Sequence, residues 1–217
     1  MVLRLGKEED MILSSGSRTN LIHNNAGDYE TLNQLGDFLR INLKGEVLRE
    51  NFRGIDDLDL LDVRGVLWAA CGFTIGKTAS DEGFQITRVV LSLKKTGSPG
   101  DLTLSVRNTS SGVPTGSDLG TTAALTAGSV DTTNFGWYIF SFKNGVILKK
   151  TTEYALVLRT ATGDASNEIH WGSDHDFFYS GGDASSSTNS GSTWGVEGTD
   201  VGMNFEIYGI IDDNPSV

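Results

Sequence analysis

From about Phe84 to the end of the chain, apolar and polar residues alternate with a period of two. Side chains on a β-strand point alternately to opposite faces of the sheet, so each alternating run builds one apolar face and one mostly polar face. Two such sheets bury their apolar faces against each other, as in an antiparallel sandwich. The clearest apolar positions are Leu102, Leu104, Val106, Tyr154, Leu156, Leu158, Met203, Phe205 and Ile207.

Strand patterns follow one another from Gly65 onward, with no helix-length period between them. About eight strands with varied loops predict an all-β, jelly-roll-like antiparallel β-sandwich over residues 65–211. The apolar phase of the first long strand slips near Arg88, which predicts a β-bulge. The pair Asn144-Gly145 predicts a tight hairpin turn, and residues 180–200, rich in Ser, Gly and Thr, are predicted to form a long exposed loop.

The first 64 residues include polar, loop-like stretches that offer little apolar surface to bury. Apolar residues three and four positions apart predict one short helix, and a second apolar group follows in an acidic stretch. We expect residues 1–64 to be an extended N-terminal arm that docks on its own sandwich or on a neighbouring subunit. The expected anchors are Tyr29, Leu32, Leu35, Leu39, Leu58, Leu60 and Leu61. Residues 212–217 are expected to form a C-terminal tail.

Charge and composition argue against several classes of partner. With 17 Lys and Arg against 28 Asp and Glu, the net charge of −11 disfavours binding to a nucleic-acid backbone. The single cysteine, Cys71, excludes an internal disulfide, and its apolar neighbours predict a buried thiol. The sequence has no run of 18 apolar residues and begins without a signal-peptide core, so we expect no membrane partner and synthesis in a cytoplasm.

Several short motifs occur in an order that resembles a known family. The motifs are Lys95-Thr96-Gly97-Ser98-Pro99-Gly100-Asp101-Leu102, Gly112-Val113-Pro114-Thr115-Gly116, Thr152-Glu153-Tyr154-Ala155-Leu156-Val157-Leu158 and Phe205-Glu206-Ile207-Tyr208-Gly209. Over roughly residues 66–210 they are similar to the "choice-of-anchor" type jelly-roll modules of phage virion proteins and microbial surface proteins. The resemblance implies a non-catalytic structural or recognition module, and the arm in place of a secretion signal favours a virion component.

We therefore expect a structural protein of a virus particle, such as a tailed-phage head decoration, minor capsid or tail-associated subunit, assembled in the host cytoplasm. Its expected partners are other virion proteins and further copies of itself, a trimer being one symmetric form. No catalytic residue and no cofactor is assigned. The sequence contains no nucleophile elbow, no phosphate-binding loop and no metalloprotease helix.

A carbohydrate-binding or adhesin module that recognises surface glycans is the alternative. Aromatic side chains in or beside loops can stack on a sugar ring while carboxylates accept hydrogen bonds from its hydroxyls. The candidate residues are Trp171, Tyr179, Trp194, Asp174 and Asp176, with Asp183 as a further acceptor. The same aromatic residues could instead close the rim of the sandwich, and the sequence leaves both interpretations open.

The cluster His170, Asp174, His175 and Asp176 contains residue types that bind metals, but its spacing matches no standard zinc pattern. Loop carboxylates suit calcium better than zinc. The carboxylates considered for calcium are Asp81, Glu82, Asp174, Asp176, Asp183 and Asp200. No metal site is assigned from the sequence.

Overall fold

The computed structural model of the chain describes residues 2–5, 10–15, 18–23, 46–54, 59–75, 84–174, 179–198 and 201–211. The chain divides into two compact units, Met1–Gly45 and Glu46–Val217. The first contains a three-stranded antiparallel sheet with β2 in the centre. Its strands are β1 (Val2–Leu5), β2 (Asp10–Ser15) and β3 (Arg18–His23). The short helix predicted between Tyr29 and Leu39 lies outside the described residues.

The second unit is all-β, with two antiparallel sheets in a sandwich-like arrangement. The seven-stranded sheet contains β4 (Val47–Phe52), β5 (Asp59–Val63), β7 (Phe84–Thr96), β10 (Gly136–Leu148), β12 (Glu168–Asp174), β15 (Gly202–Met203) and β16 (Phe205–Ile211). The six-stranded sheet contains β6 (Trp68–Thr74), β8 (Leu102–Ser110), β9 (Val113–Thr121), β11 (Glu153–Thr160), β13 (Ala184–Ser187) and β14 (Gly195–Val196). In the described part of the chain, no helix has the length and apolar character needed to cross a membrane.

The long strand β7 organises the seven-stranded sheet. β10 pairs along one side of β7, while the other side pairs with β16 over Phe84–Leu91 and with β12 over Leu93–Thr96. β4 pairs with the outer side of β16, and β5 with the outer side of β12. The six-stranded sheet has the order β14-β13-β6-β11-β8-β9. In both sheets, strands from the start and the end of the unit are neighbours.

The inner faces of the two sheets form one core. β7 contributes Phe84, Ile86, Val89, Leu91 and Leu93, each at most 1% exposed. The nine apolar positions predicted from the two-residue alternation are all buried in the same core, so the predicted faces of these strands are confirmed. Removing this apolar surface from water is the main favourable contribution to folding.

The β-bulge predicted near Arg88 is confirmed. In the pairing of β7 with β16, Arg88 lies opposite Tyr208 and Ile86 lies opposite Gly209, so Thr87 is an extra residue on β7. An extra residue shifts the inward and outward positions by one. For this reason Ile86 and Val89, three positions apart, both face the core.

The hairpin predicted at Asn144-Gly145 is wrong. β10 continues through this pair as one strand, with Ser141 opposite Arg88 and Val146 opposite Ile86. Residues 142–145 form an irregularity in the ladder, and Gly145 adopts a φ of +65° there. Glycine is needed because this backbone conformation is unfavourable for a residue with a Cβ atom. The pair therefore has the special backbone conformation that its sequence indicates, but within a bulge instead of a turn.

Two expected boundaries also change. The compact unit begins at Glu46 instead of Gly65, because β4 and β5 both belong to the seven-stranded sheet. Leu60 lies in β5, and the side chain of Leu61 packs against the sandwich core, so neither is an anchor of a separate arm. The stretch 180–200 is not a continuous loop, since it contains β13 and β14, and β13 pairs with β6.

The core predicts a contrast between two identical substitutions. Leu91→Ala removes a fully buried side chain and is expected to lower the free energy of unfolding by about 2–5 kcal/mol. Leu119→Ala, at a position that is 44% exposed, is expected to change it by less than about 0.5 kcal/mol. Urea denaturation of both variants measures the difference. Equal effects would contradict the core assignment.

Candidate functional site

Trp171, the first aromatic residue predicted to contact a glycan, lies in the core. Its side chain is fully buried on the inner face of β12, and its Nε1 donates a hydrogen bond to the carbonyl oxygen of Asn204 at 3.0 Å. A ring with no exposed surface cannot stack on a sugar from solution. The role predicted for Trp171 is therefore corrected to that of a core residue, which also satisfies its one polar atom.

The other predicted ligand and arm residues are dispersed. Trp194 packs on the outer face of the six-stranded sheet against Ala70, Ala155 and Val157. Asp174 is 1% exposed, so its carboxylate is not presented to solvent as predicted. Outside the described residues lie Asp176 and the arm positions Tyr29, Leu32, Leu35, Leu39 and Leu58.

Tyr179 and Asp183 lie together in a cleft of about 430 Å³. Its lining consists of Thr74, Glu153, Tyr179, Ser180, Gly181, Gly182 and Asp183. Thr74 and Glu153 are paired across β6 and β11, so two adjacent strands form one wall. The segment 179–183 forms the other wall, and two hydrogen bonds attach it to β6. Thr74 Oγ1 donates to the carbonyl of Gly181 at 2.8 Å, and the Gly72 amide donates to the carbonyl of Asp183 at 2.8 Å.

Glycine at position 72 lets the walls of the cleft approach each other. A Cβ atom at Gly72 would lie 2.9 Å from the Asp183 amide nitrogen and 3.0 Å from Glu153 Oε1. Side chains essentially do not occupy such distances, so any larger residue would push the 179–183 segment away from β6. The absence of a side chain at this position thus brings the carboxylates of Glu153 and Asp183 into one site.

The surroundings of the Glu153 carboxylate in the cleft disfavour its ionised form. Burial raises the pKa of Glu153, and the negative charge of Asp183 raises this pKa further. Glu153 Oε1 is buried and accepts no hydrogen bond from the described residues. Because a buried carboxylate oxygen without a partner costs free energy, this atom is suited to accept a hydrogen bond from a ligand.

Tyr179 lines the cleft and also packs against the aromatic side chains of the sandwich. Its ring packs edge-on against Phe205, with ring centroids 5.1 Å apart, and against Phe52 at 6.1 Å. Burial raises the pKa of Tyr179 and keeps the phenol protonated at neutral pH. Tyr179 therefore packs against the sandwich core and also lines the cleft.

A second group of side chains covers the outer face of the seven-stranded sheet. The guanidinium of Arg53 lies over the ring of Trp137, 4.6 Å from its centroid, and forms an ion pair with Glu206. Tyr208 Oη donates a hydrogen bond to the second oxygen of Glu206 at 2.8 Å. The guanidinium of Arg88 lies 3.9 Å from the Tyr208 ring. This outer-face cluster combines two cation–π contacts with a buried carboxylate.

The sequence contained a signal for this cluster. In the run from Trp137 to Phe142, the residues Tyr138, Phe140 and Phe142 face inward, so their neighbours Trp137 and Ile139 face outward. Trp137 is 42% exposed and Ile139 is 54% exposed. The alternation assigns the outward direction, but it does not indicate that Arg53, distant in sequence, contacts the indole.

The side chains of Asp62, Glu168 and His170 could together bind a metal ion, since their ligand atoms lie within 4.8 Å of one another. Arg64 already forms ion pairs with both carboxylates, with Asp62 at 3.7 Å. His170 Nδ1 lies 2.9 Å from Asp62 Oδ1, and Nε2 lies 2.8 Å from Thr96 Oγ1. The guanidinium thus supplies the positive charge that an ion would bring.

Thr96, His170 and Asp62 have the order of a hydroxyl–imidazole–carboxylate relay. Such a relay accelerates a reaction only beside donors that stabilise the developing oxyanion in a water-excluded site. Thr96 is exposed at the end of β7. The two hydrogen bonds join β7, β12 and β5, so we interpret this group as a cross-strand network that stabilises the sheet.

Asp118 joins two arginines on the outer face of the six-stranded sheet. Its carboxylate accepts hydrogen bonds from Arg107 Nε and Arg159 Nη2, both at 2.7 Å, and from Ser105 Oγ at 2.9 Å. Both guanidinium groups also lie near the Trp68 ring, 5.6 and 5.1 Å from its centroid. Burial alone would raise the pKa of Asp118, but the hydrogen bonds from the two arginines outweigh it and hold this pKa well below its usual range.

Asp118→Asn is expected to lower the free energy of unfolding at pH 7 by about 1 kcal/mol, after allowance for solvent screening. Because the folded-state pKa of Asp118 is depressed, its contribution is present above the unfolded pKa of about 3.9 and is lost as the pH falls below it. The difference between variant and parent should therefore shrink below about pH 4. Denaturant unfolding from pH 7 to pH 3 measures it, with the exposed Glu197→Gln as the matched control. A difference that does not change with pH would contradict the assignment.

Two arrangements in the described part of the chain present groups suited to bind another molecule. The cleft offers the carboxylates of Glu153 and Asp183, and the outer-face cluster offers the exposed indole of Trp137. Neither consists of a known catalytic constellation. Comparison of the chain with models of known protein families and with curated proteins finds no match.

Proposed function

We propose that the protein is a non-catalytic structural component of a virus particle: a tailed-phage head decoration, minor capsid or tail-associated subunit. The observation that carries the proposal is the division of the chain into two compact units. The described core of the sandwich runs from Val63 to Ile207, and in this proposal residues 1–45 serve assembly. The resemblance of residues 66–210 to choice-of-anchor modules supports a structural role.

In this proposal, the N-terminal unit binds a neighbouring subunit. Its apolar residues Tyr29, Leu32, Leu35 and Leu39 supply the contact surface. Each such side chain contributes about 1.5–3 kcal/mol when fully buried. Part of this free energy offsets the entropy lost on association, so several anchors acting together are required. The partners are further copies of the chain and other virion proteins.

We also propose that the sandwich is of the jelly-roll type. In each sheet, an early strand lies between later ones: β6 lies between β11 and β13, and β7 lies between β10 and β16. Connections that cross between the sheets in this way are typical of Greek-key and jelly-roll sandwiches. Such a body is rigid enough to hold subunits in a fixed geometry on a particle.

Multi-angle light scattering of the full chain and of a chain beginning at Glu46 tests the proposal. We expect a defined oligomer for the full chain and fewer subunits per particle for the shortened one, since the contacts of the N-terminal unit are lost. A full-length Leu32→Ser/Leu35→Ser variant should also lower the mass. Equal numbers of subunits in all three proteins would contradict assembly through the N-terminal unit.

A second candidate function, glycan binding, is favoured by the cleft. Glu153 Oε1 is buried without a partner, and Asp183 and Ser180 border the same space. Carboxylates in a cleft accept hydrogen bonds from sugar hydroxyls. Trp171 contributes nothing to such a site because it is buried, so in this proposal the cleft binds through the polar groups that line it and Tyr179.

Glu153→Gln is expected to abolish binding on a glycan array and to raise the melting temperature at pH 7. The raised pKa of Glu153 means that its ionised form opposes folding, a cost present above the folded-state pKa and absent below the unfolded value of about 4.3. The gain in melting temperature should therefore vanish toward pH 4. Glu197→Gln is the matched control. Unchanged glycan binding would exclude the cleft, and an unchanged melting temperature would contradict the cost assigned to the buried, ionised carboxylate of Glu153.

A further inference from the structure

The outer edge of β10 is less protected than the other sheet edges. β10 pairs with β7 on one side, and among the described strands none pairs with its other side. Its first half, Gly136–Ser141, contains neither a charged residue nor proline. Proteins commonly protect edge strands with charges, proline or bulges because an exposed edge can pair with another strand.

The other sheet edges have such protection. β4 contains Arg49 and Glu50, and β5 contains Asp59 and Asp62. β9 contains Pro114 and Asp118, and β14 and β15 consist of two residues each. In the three-stranded sheet, the edge strands β1 and β3 contain Arg4 and Arg18. The second half of β10 contains the bulge at residues 142–145, and there Gly120 of β9 lies against Val146. The unprotected edge is therefore limited to Gly136–Ser141.

This edge presents apolar side chains in a fixed arrangement. Trp137 and Ile139 project from the outer face and are 42% and 54% exposed. The Trp137 ring is held by Arg53, which is itself held by Glu206, a residue that is 5% exposed. A ring that is already ordered loses little conformational entropy when it binds. Tryptophan, arginine and tyrosine are the residues that most often dominate binding energy at protein interfaces.

We propose that Gly136–Ser141 is the site at which two copies of this chain pair edge to edge, so that their seven-stranded sheets form one continuous antiparallel sheet. A two-fold axis at Ile139 places Ile139 opposite its own copy and Trp137 opposite Ser141 of the partner subunit. Such cross-strand apolar pairs stabilise a sheet.

Charge favours a second copy at this edge. Two chains of net charge −11 repel each other over most of their surfaces. Beside the edge, however, the guanidinium groups of Arg53 and Arg88 form ion pairs with Glu206 and Glu46, so their charges are locally neutralised. The paired segments contain no charge, so no like charges meet across the new ladder. This edge can therefore meet its own copy without direct repulsion between like charges in the paired segments.

The inference rests on the proposed assembly function and names a surface that acts beside the N-terminal unit. Its test uses the full chain with Ile139→Lys, which places a charge on the outward face of the edge without entering the core. Ile147→Lys is the matched control, since Ile147 projects outward from the same strand beyond the bulge and is 60% exposed. Circular dichroism and thermal unfolding establish that both variants are folded.

Sedimentation velocity is expected to show a two-fold lower mass for Ile139→Lys than for the parent chain, with no change for Ile147→Lys. In hydrogen exchange, the amides of Gly136–Ser141 should exchange more slowly as the parent concentration rises, and this dependence should be lost in Ile139→Lys. A monomeric parent chain, or an unchanged mass for Ile139→Lys, would overturn the inference.

The outcome separates this inference from the proposed function. An unchanged mass for Ile139→Lys, together with a lower mass for Leu32→Ser/Leu35→Ser, would exclude the edge and leave assembly through the N-terminal unit intact. A halved mass for Ile139→Lys, with no effect of the N-terminal substitutions, would support the edge and contradict the N-terminal contact.

Discussion

Strand β7 hydrogen-bonds to β10, β16 and β12, and the positions of these three strands depend on it. Its inner face supplies five buried apolar side chains to the core. Its outer face contributes Val90 and Ser92, which are 6% and 2% exposed and lie opposite Glu206 and Trp137 of the neighbouring strands. The single extra residue at Thr87 sets which side chains face each way along the strand. Strand β7 thus sets the register of its neighbouring strands and contributes to both the core and the outer surface of the seven-stranded sheet.

The outer faces of both sheets use the same combination of groups. On one sheet Glu206 holds Arg53 against the indole of Trp137, and on the other Asp118 holds Arg107 and Arg159 against the indole of Trp68. In each case a partly or fully buried carboxylate fixes a guanidinium over an aromatic ring. The difference lies in what covers the ring. Residues 187–194 fold over the Trp68 side, where Gly191 approaches the ring, whereas Trp137 remains open to solvent.

Local pattern was sufficient to predict the inner faces of the strands. Leu102, Leu156 and Ile207 are buried as the two-residue alternation predicts, because the alternation reflects backbone geometry that each strand has by itself. The bulge in β7 was also local, since a shift of phase in one run records it. The sequences of β5 and β13 show no two-residue alternation of apolar and polar residues. They are short, contain Asp or Ser, and take strand conformation because β12 and β6 offer them partners.

Non-local contacts explain what the sequence could not predict about the candidate sites. Glu153 and Asp183 meet because Gly72 lets two distant segments touch. Trp171 was predicted to contact a ligand as an aromatic residue in or beside a loop, but its position in β12 directs the ring into the core. Arg53 lies far from Trp137 in sequence, and only the folding of β4 beside β16 brings them together. The pattern of residue types along a sequence does not show which distant residues lie close together in the folded protein.

Cys71 gives the chain an unusual experimental property. Its thiol is 1% exposed on the inner face of β6, and burial raises its pKa, so the reactive thiolate is scarce at neutral pH. No other cysteine occurs in the sequence. A cysteine introduced on the surface would therefore be the only readily alkylated thiol of the folded protein. Spin labels or fluorophores could be attached at single chosen positions without first removing a native residue from the core.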